Sequence, residues 1–451
     1  MAIPGDVALR QANYVKPSAI KACRPEVSPS EDEVKQLAAL LKQGKAVTIL
    51  GGAGCAGAHS ELMQLAGKLK SPIVSALRGR EHIQYDNPYD VGLTGLIGFS
   101  SGYHAILEAD TLLMLGTDFP YTQFYPEQAT IIQVDRRGEN LGRRTWLDLG
   151  IIGDVRATLG ALLPLLEDKR DDKHLKRFVH HYQETRKGLD ELAVGHPGHK
   201  PMHPQYVAKT ADDLAADDAI FACDVGTPTI WAARYLTMNG KRRLLGSFNH
   251  GSMANAMPQA IGAQLTFPGR QVVTFSRDGG LSMLTGDLLS LHQHKLPVKI
   301  IVFSNSALAF VELEMKAAGI LGEGTELVNP DFVGVARSAD MFGVRVEDPG
   351  DLPEAMAEAF SARWTGLSRR SGQPDRAFHA ADNQTRSGSR VQPLGAQSGA
   401  QWPRRRGNRP GGEQYNSIKI RLAKPTRRTS RLCLHALRTL SYGWNCTFST
   451  K

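Results

Sequence analysis

The stretch that decides the fold of the second half of the chain begins Arg277-Asp278-Gly279-Gly280 and ends Val302-Phe303-Ser304-Asn305. An apolar run at residues 272–275 precedes it and predicts a buried strand. Residues 282–292 have the apolar spacing of a helix, and residues 298–303 predict a second strand. Two consecutive glycines allow a tight turn between the first strand and the helix. The stretch therefore predicts one β-α-β unit.

Asp278 and Asn305 each follow one of the two predicted strands. Since the carboxyl ends of parallel strands meet at one edge of the sheet, both side chains are expected at the edge where open α/β sheets bind ligands. A carboxylate and an amide oxygen are hard ligands that leave most of a coordination sphere free, which suits Mg²⁺ bound to a diphosphate. We therefore predict a magnesium–diphosphate site here.

The rest of the chain alternates predicted strands and helices, as in a doubly wound parallel sheet. A charged segment from Asp168 and a Gly/Pro/His-rich stretch up to Lys200 separate two such regions, so we predict an α/β fold with two doubly wound parallel-sheet domains. Predicted strands lie at residues 46–50, 71–75, 111–115, 130–134 and 150–152 of the first domain and at 219–223, 272–275 and 298–303 of the second. No further strand is predicted after Ala362.

Two features of the first domain leave alternatives open. Gly52, Gly54 and Gly57 satisfy the G-x-G-x-x-G spacing between a strand and a helix, which fits either a nucleotide-facing loop or a tight structural turn. Asp135 ends a predicted strand, where it either holds a ribose or adenine or caps the following turn.

The net charge of +9 belongs to the C-terminal tail. Residues 363–451 hold 18 of the 54 Lys and Arg residues and 3 of the 45 Asp and Glu residues, and they lack apolar periodicity. This composition predicts a disordered basic tail. Stacking aromatics are few there, so no nucleic-acid partner is expected.

The sequence has no long apolar run and no signal-peptide layout, and its five cysteines show no Cys-x-x-Cys spacing. We therefore expect a reduced cytoplasmic protein.

With these residues in view, the stretch that starts at Arg277 resembles the thiamine-diphosphate motif, Gly-Asp-Gly followed about two dozen residues later by Asn-Asn. Arg277 replaces the first glycine and Ser304 replaces the first asparagine. Five further stretches resemble the pyruvate oxidase family, including its quinone-linked pyruvate dehydrogenases: residues 6–9, 53–59, 85–92, 94–102 and 247–258.

The resemblance implies a role for each segment of the chain. Residues 1–22 would be the remnant of a preceding domain and linker, 23–170 an FAD-binding middle domain, 171–200 a linker, 201–362 a thiamine-diphosphate and Mg²⁺ domain, and 363–451 the tail.

The resemblance also implies the cofactor contacts. FAD would contact Thr94, Gly95, Leu96, Ile97, Thr117, Asp118, Phe119, Pro120, Tyr121 and Asp135. Thiamine diphosphate would contact Gly251, Ser252, Met253, Asp278, Gly279, Gly280, Asn305, Ser306, Ala307, Leu308, Ala309, Phe310 and Val311, and Mg²⁺ would bind Asp278, Asn305 and the carbonyl of Ala307. Met253 would support the bent cofactor, and Phe310 would line the catalytic pocket between substrate and flavin; simple core packing is the alternative for both.

The implied activity is oxidative decarboxylation of pyruvate to acetate and CO₂, with electrons passed through FAD to ubiquinone. The family further implies a homotetramer and peripheral contact with the inner face of the cell membrane. The C-terminal segment that makes this contact is replaced here by the basic tail.

Three departures keep other functions open. The family's N-terminal domain, with the glutamate that activates thiamine, is expected to be missing. Arg277 places a cation beside the predicted Mg²⁺, and two like charges ~6 Å apart repel by about 2–3 kcal/mol at an effective dielectric of 20. The absent final strand suggests that the tail is translated from a shifted reading frame. A catalytically inactive fragment that retains cofactor binding and an acetolactate synthase-like enzyme are therefore the alternatives.

Overall fold

The computed structural model describes residues 5–8, 10–11, 25–196, 198, 200–320, 323–362 and 379–380. The strands are β1 Val47–Gly51, β2 Ile73–Ser75, β3 Asp90–Leu93, β4 Thr111–Leu115, β5 Thr130–Asp135, β6 Leu149–Ile152, β7 Ile220–Cys223, β8 Arg243–Gly246, β9 Val272–Arg277, β10 Lys299–Phe303, β11 Arg345–Val346 and β12 His379–Ala380. The α-helices are α1 Gly5–Ala8, α2 Glu31–Gln43, α3 His59–Leu69, α4 Arg80–Ile83, α5 Ser100–Leu107, α6 Val155–Leu162, α7 Lys173–Asp190, α8 Pro204–Leu214, α9 Thr227–Tyr235, α10 Ala256–Thr266, α11 Asp278–Met283, α12 Asp287–His294, α13 Ala309–Ala317, α14 Phe332–Ser338 and α15 Leu352–Ser361.

The first sheet has the strand order β3-β2-β1-β4-β5-β6, and all its pairings are parallel. Its central strands β1 and β4 are buried along their whole length. Continuous burial is typical of parallel strands that helices cover on both faces. The order reverses between β1 and β4, so the carboxyl ends of these strands flank a crevice.

The second sheet has the order β11-β12-β10-β9-β7-β8 and is likewise parallel. Four strands, β8, β7, β9 and β10, make up most of this sheet. The other two, β11 and β12, have only two residues each. The predicted fold class, an α/β protein with two doubly wound parallel sheets, is confirmed.

The local predictions around Gly279 and Gly280 were partly wrong. Both glycines lie within α11, which begins at Asp278 directly after β9, and not in a turn. The predicted single helix is two helices, α11 and α12. Gly286 lies between them, and glycine is a poor residue for a helix interior.

Strand β3 escaped prediction because it is short and contains Gly92 at a φ of +86°. The prediction that no strand follows Ala362 was also wrong, since β12 pairs with both β10 and β11. The prediction of a shifted reading frame rested on the absence of that strand. The predicted disorder of the tail and the predicted remnant at residues 1–22 lie mostly outside the described residues.

Residues 171–200, predicted as a linker, contain the 18-residue helix α7. Phe178 of α7 is only 1% exposed and belongs to the core of the first domain, together with Leu50, Val91 and Phe124. The charged side of the helix faces outward, which explains why its sequence resembles a solvated segment.

The two domains share a hydrophobic cluster. Leu93 and Phe99 of the first domain pack in one cluster with Phe221 and Phe275 of the second. The buried guanidinium of Arg80 crosses the boundary and donates to the carbonyl oxygens of Ala232, at 3.0 Å, and Leu236. These contacts fix the crevice of the first sheet against the second domain. In the described part of the chain, no helix is long and apolar enough to cross a membrane.

We expect Phe178→Ala to lower the free energy of unfolding by about 3–5 kcal/mol, because it leaves a cavity in a closed core. The exposed Lys176 in the same helix supplies the control, and Lys176→Ala should change stability by less than about 0.5 kcal/mol. Urea unfolding monitored by circular dichroism measures both. A loss below about 1 kcal/mol for Phe178→Ala would show that α7 is not part of the core.

Candidate functional site

Three neighbouring strands of the second sheet end at polar residues. Asp224 follows β7, Asp278 follows β9, and Asn305 follows β10 by two residues. Since the strands are parallel neighbours, the three side chains meet at one carboxyl edge, as predicted for the last two.

The carboxylate of Asp278 is completely buried and ties three segments together. Its Oδ2 accepts the N–H groups of Asn305, at 3.0 Å, and Ser306, at 2.7 Å, and the side-chain amide of Asn329 at 2.9 Å. Its Oδ1 accepts the N–H of Gly279 at 2.8 Å. Four donors therefore compensate the cost of burying this charge.

Arg277 engages the other two predicted metal ligands. Its Nη2 donates to Oδ1 of Asn305 at 2.8 Å and also to the carbonyl oxygen of Ala307. The side chain is 5% exposed. Burial lowers the pKa of this guanidinium, and the nearby carboxylates of Asp278 and Asp224 partly offset that effect.

The three predicted metal ligands, Asp278, Asn305 and Ala307, thus converge, but the arrangement does not fit Mg²⁺. Two of the three oxygens already bind a guanidinium nitrogen. Releasing them would break two charge-assisted hydrogen bonds, each worth about 1.5–3 kcal/mol. It would also leave a monocation next to a dication. The predicted repulsion is therefore replaced in this structure by direct contact of Arg277 with the ligand oxygens.

Sequence reasoning missed Asn329. The segment that carries it lies beside the loop after β10, because the N–H of Leu308 donates to the carbonyl of Thr325 at 2.7 Å and the N–H of Leu327 to that of Ser306 at 2.8 Å. No local pattern signals this long-range pairing; the Asn329-Pro330 dipeptide indicates only a turn.

Asp224 was also missed as a site residue. It is 1% exposed, and its Oδ1 and Oδ2 accept the N–H groups of Ala256, at 3.0 Å, and Arg277, at 3.3 Å. Burial raises the pKa of this carboxyl, and the two N–H donors counteract the rise. A Cβ on Gly280 would lie 2.3 Å from Asp224 Oδ2, so this position requires glycine. The sequence did contain a signal, since Asp224 directly follows the strand predicted at residues 219–223.

Two of the remaining residues predicted to contact thiamine diphosphate, Leu308 and Met253, lie next to Gly279. A Cβ on that residue would contact Leu327 at 3.1 Å, Leu308 at 3.4 Å and Met253 at 3.5 Å. Met253 is 37% exposed, which does not fit simple core packing. Gly251 and Ser306 take left-handed backbone conformations, with φ of +65° and +53°. Ser252 follows Gly251, and Ala309 and Val311 lie in the first turn of α13.

A cavity of about 1110 Å³ lies at the carboxyl edge of the first sheet and reaches the second domain. All ten predicted FAD contacts line it: Thr94, Gly95, Leu96, Ile97, Thr117, Asp118, Phe119, Pro120, Tyr121 and Asp135. Gly226, Gly251 and Phe310 line it from the second domain. The predicted flavin residues and the predicted catalytic Phe310 therefore share one cavity.

The glycine loop after β1 is required for packing and also lines this cavity. A Cβ on Gly116 would lie 2.4 Å from the Cα of Gly54, and one on Gly52 would lie 2.5 Å from the carbonyl oxygen of Gly116. Two backbones approach here more closely than any side chain permits. Gly52 and Gly54 also form part of the cavity wall. The third glycine, Gly57, has a φ of +78°.

The polar groups of the cavity differ in how well they are paired. Asp135 accepts the N–H of Arg137 at 2.9 Å and the amide of Asn140 at 3.1 Å, so it caps its own turn. Asp118 forms a two-point pair with Arg144. In contrast, the hydroxyl of Thr94 is buried and has no hydrogen-bond partner among the described residues.

Family models of thiamine pyrophosphate enzymes match both domains. The central-domain model matches residues 34–162, and the C-terminal TPP-binding-domain model matches residues 224–367.

Several curated proteins are similar to this chain. The "Uncharacterized 42.6 kDa protein in isoamylase 3'region" of Pseudomonas amyloderamosa is 61% identical over 193 residues, 42% of this chain and 48% of that protein. The "Putative thiamine pyrophosphate-containing protein YdaP" of Bacillus subtilis is 32% identical over 354 residues, 78% of this chain and 60% of that protein. The pyruvate oxidase of Lactiplantibacillus plantarum is 27% identical over 335 residues, 73% of this chain and 55% of the enzyme. Acetolactate synthases match at 26–28% identity. The chain thus spans about half to three fifths of the length of these relatives.

We expect Asp278→Asn to destabilise the second domain by about 1–3 kcal/mol, because one buried acceptor becomes an amide group that faces N–H donors. Asp217, which is exposed, supplies the control Asp217→Asn with an expected change below about 0.5 kcal/mol. Urea unfolding gives both values. Equal stability of the two variants would mean that Asp278 does not hold the three segments together.

Proposed function

The chain belongs to the thiamine pyrophosphate enzyme family, and on that premise we propose that it binds FAD in the interdomain cavity and serves the oxidation of pyruvate to acetate and CO₂. Thiamine diphosphate is the cofactor that the second domain's family implies. Ubiquinone as electron acceptor, a homotetramer and peripheral contact with the inner face of the cell membrane belong to the same proposal.

The cavity lined by the ten predicted flavin contacts is the observation that carries this proposal. Its size suits a large cofactor, since small-molecule pockets measure about 300–1,000 Å³. The unpaired hydroxyl of Thr94 is a buried polar group that a bound ligand would satisfy.

The residues of the cavity divide by chemistry. Four arginines line the cavity, and three of them pair with Asp118 or Asp154. Guanidinium groups suit the diphosphate of a dinucleotide; the four are Arg136, Arg137, Arg143 and Arg144. The rings of Phe119 and Tyr121 pack edge to face, with their centroids 5.4 Å apart, and form an aromatic part of the cavity wall. FAD, when bound, supplies a two-electron acceptor. The chain's own part is to hold it against Phe310 of the second domain.

A second candidate is a family member that binds cofactors without catalysis. The contact of Arg277 with Asn305 and Ala307 favours it, because these atoms would otherwise be free to hold the metal of the cofactor. An acetolactate synthase-like activity is the third candidate function. Acetolactate synthases have about the same sequence identity to this chain as pyruvate oxidase has.

We expect the purified protein to be yellow, with the absorption bands of oxidised flavin. Thr94→Val should weaken FAD binding about fivefold, the equivalent of one lost hydrogen bond of about 1 kcal/mol. Thr158 supplies a matched control, because its hydroxyl is also buried without a partner among the described residues but does not line the cavity. Thr158→Val should therefore leave FAD affinity unchanged. A colourless protein that takes up no FAD, or equal effects of the two variants, would contradict the flavin assignment.

Anaerobic mixing with pyruvate and thiamine diphosphate distinguishes the three candidates. Bleaching of the flavin with release of acetate and CO₂ is the expected result for the full chain. Formation of acetolactate without bleaching would support the synthase, and an unchanged spectrum in a protein that holds both cofactors would support the non-catalytic protein.

A further inference from the structure

Hydrogen bonds within the protein occupy only some of the N–H donors of the Arg277 guanidinium. Arginine has five N–H donors. Nη2 uses both of its hydrogens, on Asn305 Oδ1 and the Ala307 carbonyl oxygen. The donors on Nε and Nη1 have no acceptor among the described residues. Three donors of this largely buried side chain therefore have no acceptor among the described residues, and their nitrogens are not fully sealed from the surroundings.

The positive charge of Arg277 likewise forms no ion pair with a carboxylate of the described residues. Within the described part of the chain, no carboxylate oxygen lies within the 4.0 Å limit of a salt bridge with this guanidinium. The nearby carboxylates of Asp224 and Asp278 are each held by backbone N–H groups instead. The positive charge is thus available to an anion from outside the chain.

The unused donors lie next to the interdomain cavity. Nη1 is 3.4 Å from the place of a Cβ on Gly226, and Phe310 Cβ is 3.9 Å from the same point. Both Gly226 and Phe310 line the cavity. Gly226 has a φ of +101°, which side-chain-bearing residues rarely adopt, so the space beside Nη1 stays open.

We propose that Arg277 takes the place of the divalent cation in this chain, so that the second domain binds a diphosphate ester on a guanidinium without metal. Nη2 holds the two oxygens that would ligate a metal, and Nη1, on the Gly226 side of the guanidinium, presents its two N–H donors to the phosphate oxygens. Hydrogen bonds from a charged guanidinium to phosphate oxygens are among the strong, charge-assisted ones. This inference rests on the proposed thiamine-diphosphate function of the domain and names how that ligand is anchored.

The exchange of one cation for another has a distinct chemical consequence. A guanidinium is covalently attached and keeps its proton at all ordinary pH values, so the anion site cannot be emptied by a chelator. A metal site at the same place would lose its ligand affinity when Mg²⁺ is removed.

The first test measures binding of thiamine diphosphate to the wild-type full chain, once in EDTA and once in excess Mg²⁺. We expect dissociation constants within about twofold of each other. Inorganic pyrophosphate should compete in both buffers, whereas thiamine without phosphate should not. A dissociation constant at least about tenfold lower in Mg²⁺ would overturn the inference.

The second test uses Arg277→Gly, which restores the glycine of the thiamine-diphosphate motif, and Arg277→Lys, which keeps a cation but not the fixed N–H donors of the guanidinium. Arg277→Gly should lose binding in EDTA and regain it in Mg²⁺, since Asn305 Oδ1 and the Ala307 carbonyl oxygen then lose the guanidinium and become free to hold a metal. Arg277→Lys should bind more weakly than the wild type but without Mg²⁺ dependence. Arg345→Ala, a change at an exposed ion pair outside the site, should behave as the wild type.

Electron paramagnetic resonance of Mn²⁺ provides a readout without catalysis. In the presence of thiamine diphosphate, Mn²⁺ should be immobilised by Arg277→Gly and stay free with the wild type. Immobilised Mn²⁺ in the wild type would overturn the inference.

Flavin content separates the failure of this inference from failure of the proposed function. A wild-type protein that holds FAD but binds neither thiamine diphosphate nor pyrophosphate in either buffer overturns the diphosphate assignment and leaves the flavin assignment standing. Variants that retain flavin are folded, so their loss of diphosphate binding reports on Arg277 itself. Equal binding of Arg277→Gly and the wild type in EDTA would also reject the inference.

Discussion

The buried carboxylate of Asp278 is the constraint on which the second domain's site depends. It joins the end of β9, the loop after β10 and the segment that carries Asn329, because three donors meet on one of its oxygens. A charge that is removed from water must be paired almost completely, so the positions of all three segments follow from it. The polar edge of the sheet is therefore rigid before any ligand binds.

Arg277 determines the chemistry of that edge. Its guanidinium occupies the oxygens of Asn305 and Ala307, which the sequence predicted as metal ligands. Oxygens of the kind that suit a hard dication thus hold an organic monocation in this chain. The cavity of the first domain is built mainly from that domain's own strand ends and loops, with residues of the second domain such as Gly226 and Phe310 in its wall.

The sequence predicted the architecture well because parallel strands are nearly continuous apolar runs, as in β4 and β5, and their polar ends are recognisable. It placed Asp278 and Asn305 at one edge for the same reason. It did not predict that Arg277 would bond to Asn305, since the direction of a long side chain depends on packing around it. Asn329 reaches the site by pairing of segments about twenty residues apart. Strand β3 is too short to stand out in the sequence, and the charged helix α7 reads as a solvated segment although Phe178 is buried. Such features depend on tertiary contacts and leave no local pattern.

The core shared by the two domains links their stabilities. Leu93 and Phe99 pack with residues of the second sheet, and Arg80 binds carbonyl oxygens at the end of α9. Neither domain can therefore unfold without exposing apolar surface and buried polar groups of the other. A cofactor that binds one domain consequently protects both from denaturation, through mass action on the common folded state.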